Sequence, residues 1–216
     1  APHHGPRGAL MARAILWRLG APPRVREAIC ALVRVHQVPF HLIDRRDAAR
    51  VAYTISQTVR CDHLALLAQA DALGRVCRDQ PRILDQVALF AEFCAEHGCL
   101  RAPRAFPSDH SRFLYFRQED RDPDYLAHDD TRGEVILMSG LPGSGKSTEA
   151  ARRFADRPHI CLDDLRRELG VDPDDGQAAV VEEGRRRARV LLREGASFVW
   201  NATSLTRQMR GQIIDL

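Results

Sequence analysis

The run Gly140-Leu141-Pro142-Gly143-Ser144-Gly145-Lys146-Ser147 decides how the second half of this 216-residue chain reads. It fits the pattern G-x-x-x-x-G-K-[ST]. The apolar run Glu134–Ser139 before it reads as a buried strand, and Thr148–Ala155 after it reads as a helix. Glycines let successive backbone N–H groups curl around phosphate oxygens, and the following helix points its positive end at the same anion. Lys146 is expected to reach the β- and γ-phosphates of ATP, and the Ser147 hydroxyl to ligate Mg2+. Gly140, Gly143, Ser144, Gly145 and Thr148 complete the cradle. Of the 32 basic residues, 31 are arginine, and the single lysine is Lys146. Arginine substitutes for lysine where a solvated charge suffices, but not where a compact ammonium must reach a defined point.

Working outward, His159-Ile-Cys-Leu162 reads as a second short strand and Ser197-Phe-Val-Trp200 as a third. A long helix with the stripe Val181, Gly184, Ala188 and Leu191 lies between them. The order βαβαβ predicts an α/β fold with a parallel sheet and right-handed crossovers over residues 134–216. The carboxyl ends of such strands line the ligand crevice, which places Asp163 near the γ-phosphate. A carboxylate there can accept a proton from an attacking hydroxyl. The adjacent Asp164 is expected to cap the helix holding Leu165 and Leu169.

Residues 1–100 read as a helical bundle. Pro22-Pro23 opens a helix with the stripe Val25, Ile29, Leu32 and His36. Further stripes run through Ala48, Val51, Ala52, Ile55 and Val59, then Leu64, Leu67, Ala68 and Asp71, then Ile83 to Cys94. His36 and Asp71 each continue an apolar stripe and are expected to face inward. A buried carboxylate must pair or ligate, and the open alternatives are an Asp71–Arg pair, an Asp71–His36 pair, or a site for a divalent transition metal. Residues 101–133, with Arg101-Ala-Pro-Arg-Ala-Phe-Pro and the aromatic run Phe113–Phe116, read as a linker. Its His128-Asp129 pair reads as solvated loop.

The net charge of +3 is too small for a strong electrostatic footprint on nucleic acid. Arg185–Arg189 reads as a solvated helix face paired with Glu182 and Glu183. No apolar stretch approaches the ~18 residues of a membrane span, and the first thirty residues lack the apolar core of a signal peptide. Six scattered cysteines fit reduced thiols, so a cytoplasmic protein without a membrane partner is expected. Cys94, His97 and Cys99 hint at zinc but lack a second pair at finger-like spacing, and Cys94 fits the core stripe.

Two resemblances follow from these motifs. Gly140–Thr148, Leu162-Asp-Asp-Leu-Arg166 and Trp200-Asn-Ala-Thr-Ser-Leu205 together resemble the 5′-hydroxyl polynucleotide kinases of bacterial and phage RNA repair, across about 83 residues. That resemblance implies a general-base role for Asp163, a hold on the acceptor phosphate by Arg166, and a site-shaping role for Thr203. It also implies RNA or DNA ends as substrate. His3-His4-Gly, Arg34-Val-His36 and Ala68-Gln-Ala-Asp71 are similar to the C-terminal part of the HD phosphohydrolase domains of CCA-adding enzymes and some fused polynucleotide kinases. It implies His4 (or its neighbour His3), His36 and Asp71 as metal ligands. Against both patterns the chain reads as truncated at each end, lacking an upstream His-Asp and a lid arginine. A kinase of a small molecule, and an ATP-binding regulatory module without transfer activity, are the alternative readings.

Overall fold

The computed structural model describes residues 4–172 and 176–216, and the chain forms two compact units that divide between Ala127 and His128. The first unit is helical. Its elements are α1 (His4–Arg18), α2 (Pro23–Val35), a 3-10 turn (Val38–Phe40), α3 (Ala48–Ser56), α4 (Cys61–Leu73), α5 (Gln80–Glu96) and α6 (Asp109–Arg117). Pro22 caps α2 and Pro23 occupies its first turn, where a missing N–H is harmless. Leu42, Tyr53, Leu64, Phe90 and Cys94 form the middle of the core.

The span read as a linker contains α6 and folds with the helical unit as far as Ala127. The Ser108 hydroxyl caps α6 by accepting from the Ser111 N–H at 2.9 Å. The Tyr115 ring packs 5.2 Å from Phe106 and 5.9 Å from Tyr53, so these aromatics join the core. The prolines flanking Phe106 mark turns and hid a helix of only nine residues.

The second unit has the expected α/β order: β1 (Val135–Met138), α7 (Lys146–Arg153), β2 (His159–Cys161), α8 (Leu162–Leu169), α9 (Gln177–Arg193), β3 (Phe198–Asn201) and α10 (Arg207–Ile214). The sheet is parallel, with β3 central between β1 and β2. Asn201 is in register with Met138 on one side and Cys161 on the other, so all three strands end level. Ile160, Leu165, Val180, Ala188, Phe198 and Trp200 make the core beneath. Gly184 lets α9 press onto it: a Cβ there would lie 2.9 Å from Leu162 and 3.0 Å from Trp200.

Two expectations shift by one residue. The third strand runs to Asn201 rather than stopping at Trp200. The helix after β2 begins at Leu162 with Cys161 as its cap, so Asp164 is not a capping residue. Asp164 lies in the first turn of α8, where its charge favours the helix dipole, and it pairs with Arg167. The Arg185–Arg189 face is paired as expected: Glu183 binds Arg186 and Arg187, and Glu182 binds Arg189.

Candidate functional site

A cleft of about 520 Å³ opens at the carboxyl ends of the strands. Gly143, Gly145, Lys146, Ser147, Thr148, Asp163, Arg166 and Thr203 all line it, together with Gln177 and Asn201. Parallel pairing produces this convergence. Residues 139–145 leave β1, α8 leaves β2, and residues 202–204 leave β3, all at one edge of the sheet.

The glycine-rich turn has the backbone its sequence demands. Gly143 and Gly145 adopt φ of +74° and +83°, which a side chain would strain, and Gly145 caps α7. At Gly140 a Cβ would sit 2.7 Å from the Ser144 hydroxyl. The Gly140 N–H donates to the Thr203 carbonyl at 3.0 Å, tying the turn to the segment after β3. Ser139 binds the Ser204 carbonyl at 3.0 Å, and Arg210 donates to the carbonyls of Ser204 and Leu205. Thr203 is thus positioned through its backbone.

Lys146 Nζ donates to the Leu141 carbonyl at 2.8 Å, so the ammonium folds back over its own turn. Ser147 lies in the first turn of α7, and its Oγ accepts from Asn201 Nδ2 at 3.0 Å. A turn free of Cβ atoms, an ammonium, a helix N-terminus and an oriented hydroxyl together suit a nucleotide triphosphate with its Mg2+.

On the other side of the cleft, Arg166 Nη1 donates to Asp163 Oδ1 at 2.8 Å and Nη2 to Gln177 Oε1 at 2.8 Å. Asp163 is largely exposed, whereas the Arg166 side chain is about one-fifth exposed. The third guanidinium nitrogen, Arg166 Nε, is buried and has no hydrogen-bond partner. The Cys161 thiol lies 3.8 Å from Asn201 Nδ2, and burial pushes it above the usual thiol range. Asn201 and Gln177 were not anticipated. The third strand was read as ending at Trp200, one residue short of Asn201, and Gln177 reaches Arg166 only because α9 packs beside α8.

In the helical unit the metal expectation is not met. Gly5 lets α1 approach the end of α2, since a Cβ there would fall 2.6 Å from the Arg34 carbonyl oxygen. This brings His4 Nε2 to 3.3 Å from His36 Nε2. His36 Nδ1 donates to the Val33 carbonyl at 2.7 Å, leaving its Nε2 as the acceptor toward His4. Asp71 does not join them. It pairs with Arg75 one turn along α4, and that guanidinium lies over the Phe40 ring. His3 lies outside the described residues. His97 Nδ1 shares a hydrogen bond of 2.7 Å with Tyr53 Oη and the ring stacks on Phe93, so His97 is engaged there and not as a ligand beside Cys94 and Cys99. Among the described residues no group of three or more His, Cys, Asp or Glu side chains could hold a metal ion. No helix among them is long and apolar enough to cross a membrane.

Residues 135–216 match the family described as AAA domain. This segment is a P-loop nucleotide-binding domain of the kinase-like kind, with the nucleotide and Mg2+ use that implies. The chain is also 33% identical over 98 residues to "Transcription factor bHLH140" of Arabidopsis thaliana. That match covers 44% of this chain but only 10% of the plant protein. No solved structure matches.

Proposed function

We propose that this protein is an ATP-dependent kinase that transfers the γ-phosphoryl group to 5′-hydroxyl ends of RNA or DNA. The observation that carries the reading is the Asp163–Arg166 ion pair, set in the same cleft as Lys146 and Ser147. A phosphoryl acceptor of this class brings two things to the cleft: a hydroxyl that must lose a proton, and a neighbouring phosphodiester. Asp163 is the acceptor for the proton, and Arg166 is the donor for the phosphate. The orphan Nε supports the second assignment. A buried, unpaired guanidinium N–H costs about 1–3 kcal/mol, so this side chain gains from a rearrangement that meets an anion.

ATP supplies the phosphoryl group when bound, with Mg2+ offsetting its charge. Gly143, Gly145 and Lys146 hold the phosphates, and Ser147 serves the cation. Asp163 takes the 5′-hydroxyl proton as the new O–P bond forms and the bond to the ADP oxygen breaks. Lys146 must leave the Leu141 carbonyl to reach the phosphates, a rotation of one flexible side chain.

The test is transfer of labelled γ-phosphate from ATP to a 5′-hydroxyl oligonucleotide, with a panel of sugars and nucleosides as competing acceptors. Transfer to the oligonucleotide, abolished by Asp163→Ala, supports the reading. Transfer only to a small metabolite, or ATP binding without transfer to any acceptor, overturns it.

A further inference from the structure

We infer that Asn201 is a positioning residue for the divalent cation that accompanies the nucleotide: it orients the Ser147 hydroxyl so that this oxygen offers a lone pair to the metal. Asn201 sits at the carboxyl end of the central strand, 6% exposed, and lines the cleft. Its Nδ2 donates to Ser147 Oγ at 3.0 Å, joining positions 54 residues apart in sequence.

A serine hydroxyl carries one donor and two acceptor lone pairs. A serine in a helix commonly turns that donor back to the carbonyl four residues earlier. Here the amide occupies one lone pair, which leaves the second lone pair and the proton for the cleft. A divalent cation would meet that lone pair, and the hydroxyl would donate a hydrogen bond to a phosphate oxygen.

The neutrality of the side chain matters. A carboxylate at 201 could only accept, so it would draw the Ser147 proton to itself and add a negative charge beside the phosphates. With asparagine, this end of β3 contributes no charge. The cation is therefore held mainly by the nucleotide and Ser147, which favours entry of the two as one complex. This inference rests on the nucleotide-binding half of the proposed function and not on the acceptor.

The test measures binding without turnover. A non-hydrolysable ATP analogue is titrated calorimetrically with Mg2+ and again with excess chelator, into the unaltered protein, Asn201→Ala and Asn201→Asp. Melting curves confirm that each is folded. The unaltered protein prefers the Mg2+ complex. Asn201→Ala is expected to shrink that preference about 5–10-fold, the scale of one hydrogen bond, with affinity for the metal-free analogue kept within about twofold. Asn201→Asp nearly preserves shape, and it is expected to enlarge the preference by weakening the metal-free analogue. Equal loss of both forms in Asn201→Ala would show a purely structural role and overturn the inference, as would no change in either. If Asn201→Ala does not fold, Asn201→Asp decides alone: an unchanged or smaller preference overturns it. No acceptor is present, so failure of the 5′-hydroxyl reading leaves these outcomes intact.

Discussion

Asp163 and Arg166 face each other across one turn of α8, with 2.8 Å between Oδ1 and Nη1. Asp163 is open to solvent, while Gln177 steadies the other arm of the guanidinium. Under the proposed reading, the group that takes the proton and the guanidinium that binds the acceptor's phosphate therefore occupy one another. An acceptor bringing its own phosphate would compete for Arg166 and release the carboxylate, whereas one without a phosphate would leave the pair closed.

That exchange predicts different kinetic signatures for the two partners. Asp163→Asn should lower kcat by about 100-fold or more, the usual scale for a lost general base, with nucleotide affinity unchanged. Arg166→Ala should instead raise KM for an oligonucleotide by about 10-fold or more, the scale of a charge-assisted hydrogen bond. Steady-state kinetics with paired nucleotide titrations separate the two.

Lys146 gives a sharper contrast. Lys146→Arg keeps the charge but replaces a compact ammonium with a broad planar fork, and Lys146→Met removes the charge. Both should weaken ATP binding by about 10-fold or more, with the fold intact, because the hydrogen bond that Nζ makes is local, to the Leu141 carbonyl of its own turn. Equilibrium titration with a fluorescent nucleotide reads this directly.

Packing against the sheet should tolerate no side chain at Gly184. Gly184→Val places methyl groups against Leu162 and Trp200, where a Cβ alone is already at 2.9 and 3.0 Å. The expected cost is about 1–3 kcal/mol, seen as a lower midpoint in urea. Trp200→Ala, which empties the same contact, should cost about 3–5 kcal/mol.

Acid should loosen α1 from α2 through Glu27. Hydrogen bonds from Arg13 and then Arg26 hold the Glu27 carboxyl down at about 2, against 4.5 ordinarily. A carboxylate depressed in the folded state stabilises above its unfolded value and loses that contribution as pH falls through the folded one. The pair therefore acts fully above pH 4.5 and fades toward pH 2. Amide protection in α1, measured relative to the intrinsic exchange rate at each pH, should fall over that window, and Glu27→Gln should remove the dependence. Because the pair is exposed, the effect on global stability stays small.

The cleft was legible where chemistry constrains neighbouring residues. Gly143, Gly145, Lys146 and Ser147 lie within five residues, and the backbone or the reach at each position permits one or two residue types. Asp163 was placed at this edge of the sheet by the end of β2 and Arg166 by the resemblance to polynucleotide kinases, and the two line the same cleft one helical turn apart. Asn201 was not legible, because its meaning depends on strand register: the strand runs one residue past Trp200, and that residue is the buried side chain that donates to Ser147. Asp71 takes the Asp–Arg pairing that the sequence left open and not the metal site, for a reason that lies in its place on the helix. The buried row of α4 is Leu64, Ala68 and Ala72, and Asp71 stands one residue off it, close enough to look inward and exposed enough to meet Arg75. Helical periodicity locates a face to within about 100°, and the Asp71 expectation falls inside that margin.

The solitary lysine has a practical consequence. A protease that cuts only after lysine has a single target bond in this chain, Lys146–Ser147, in the first turn of α7. Scission there severs the phosphate turn from its helix and nothing else. A nucleotide held by both sides of that bond should shield it, so the protein carries its own footprinting reporter of occupancy, readable as one band becoming two on a gel.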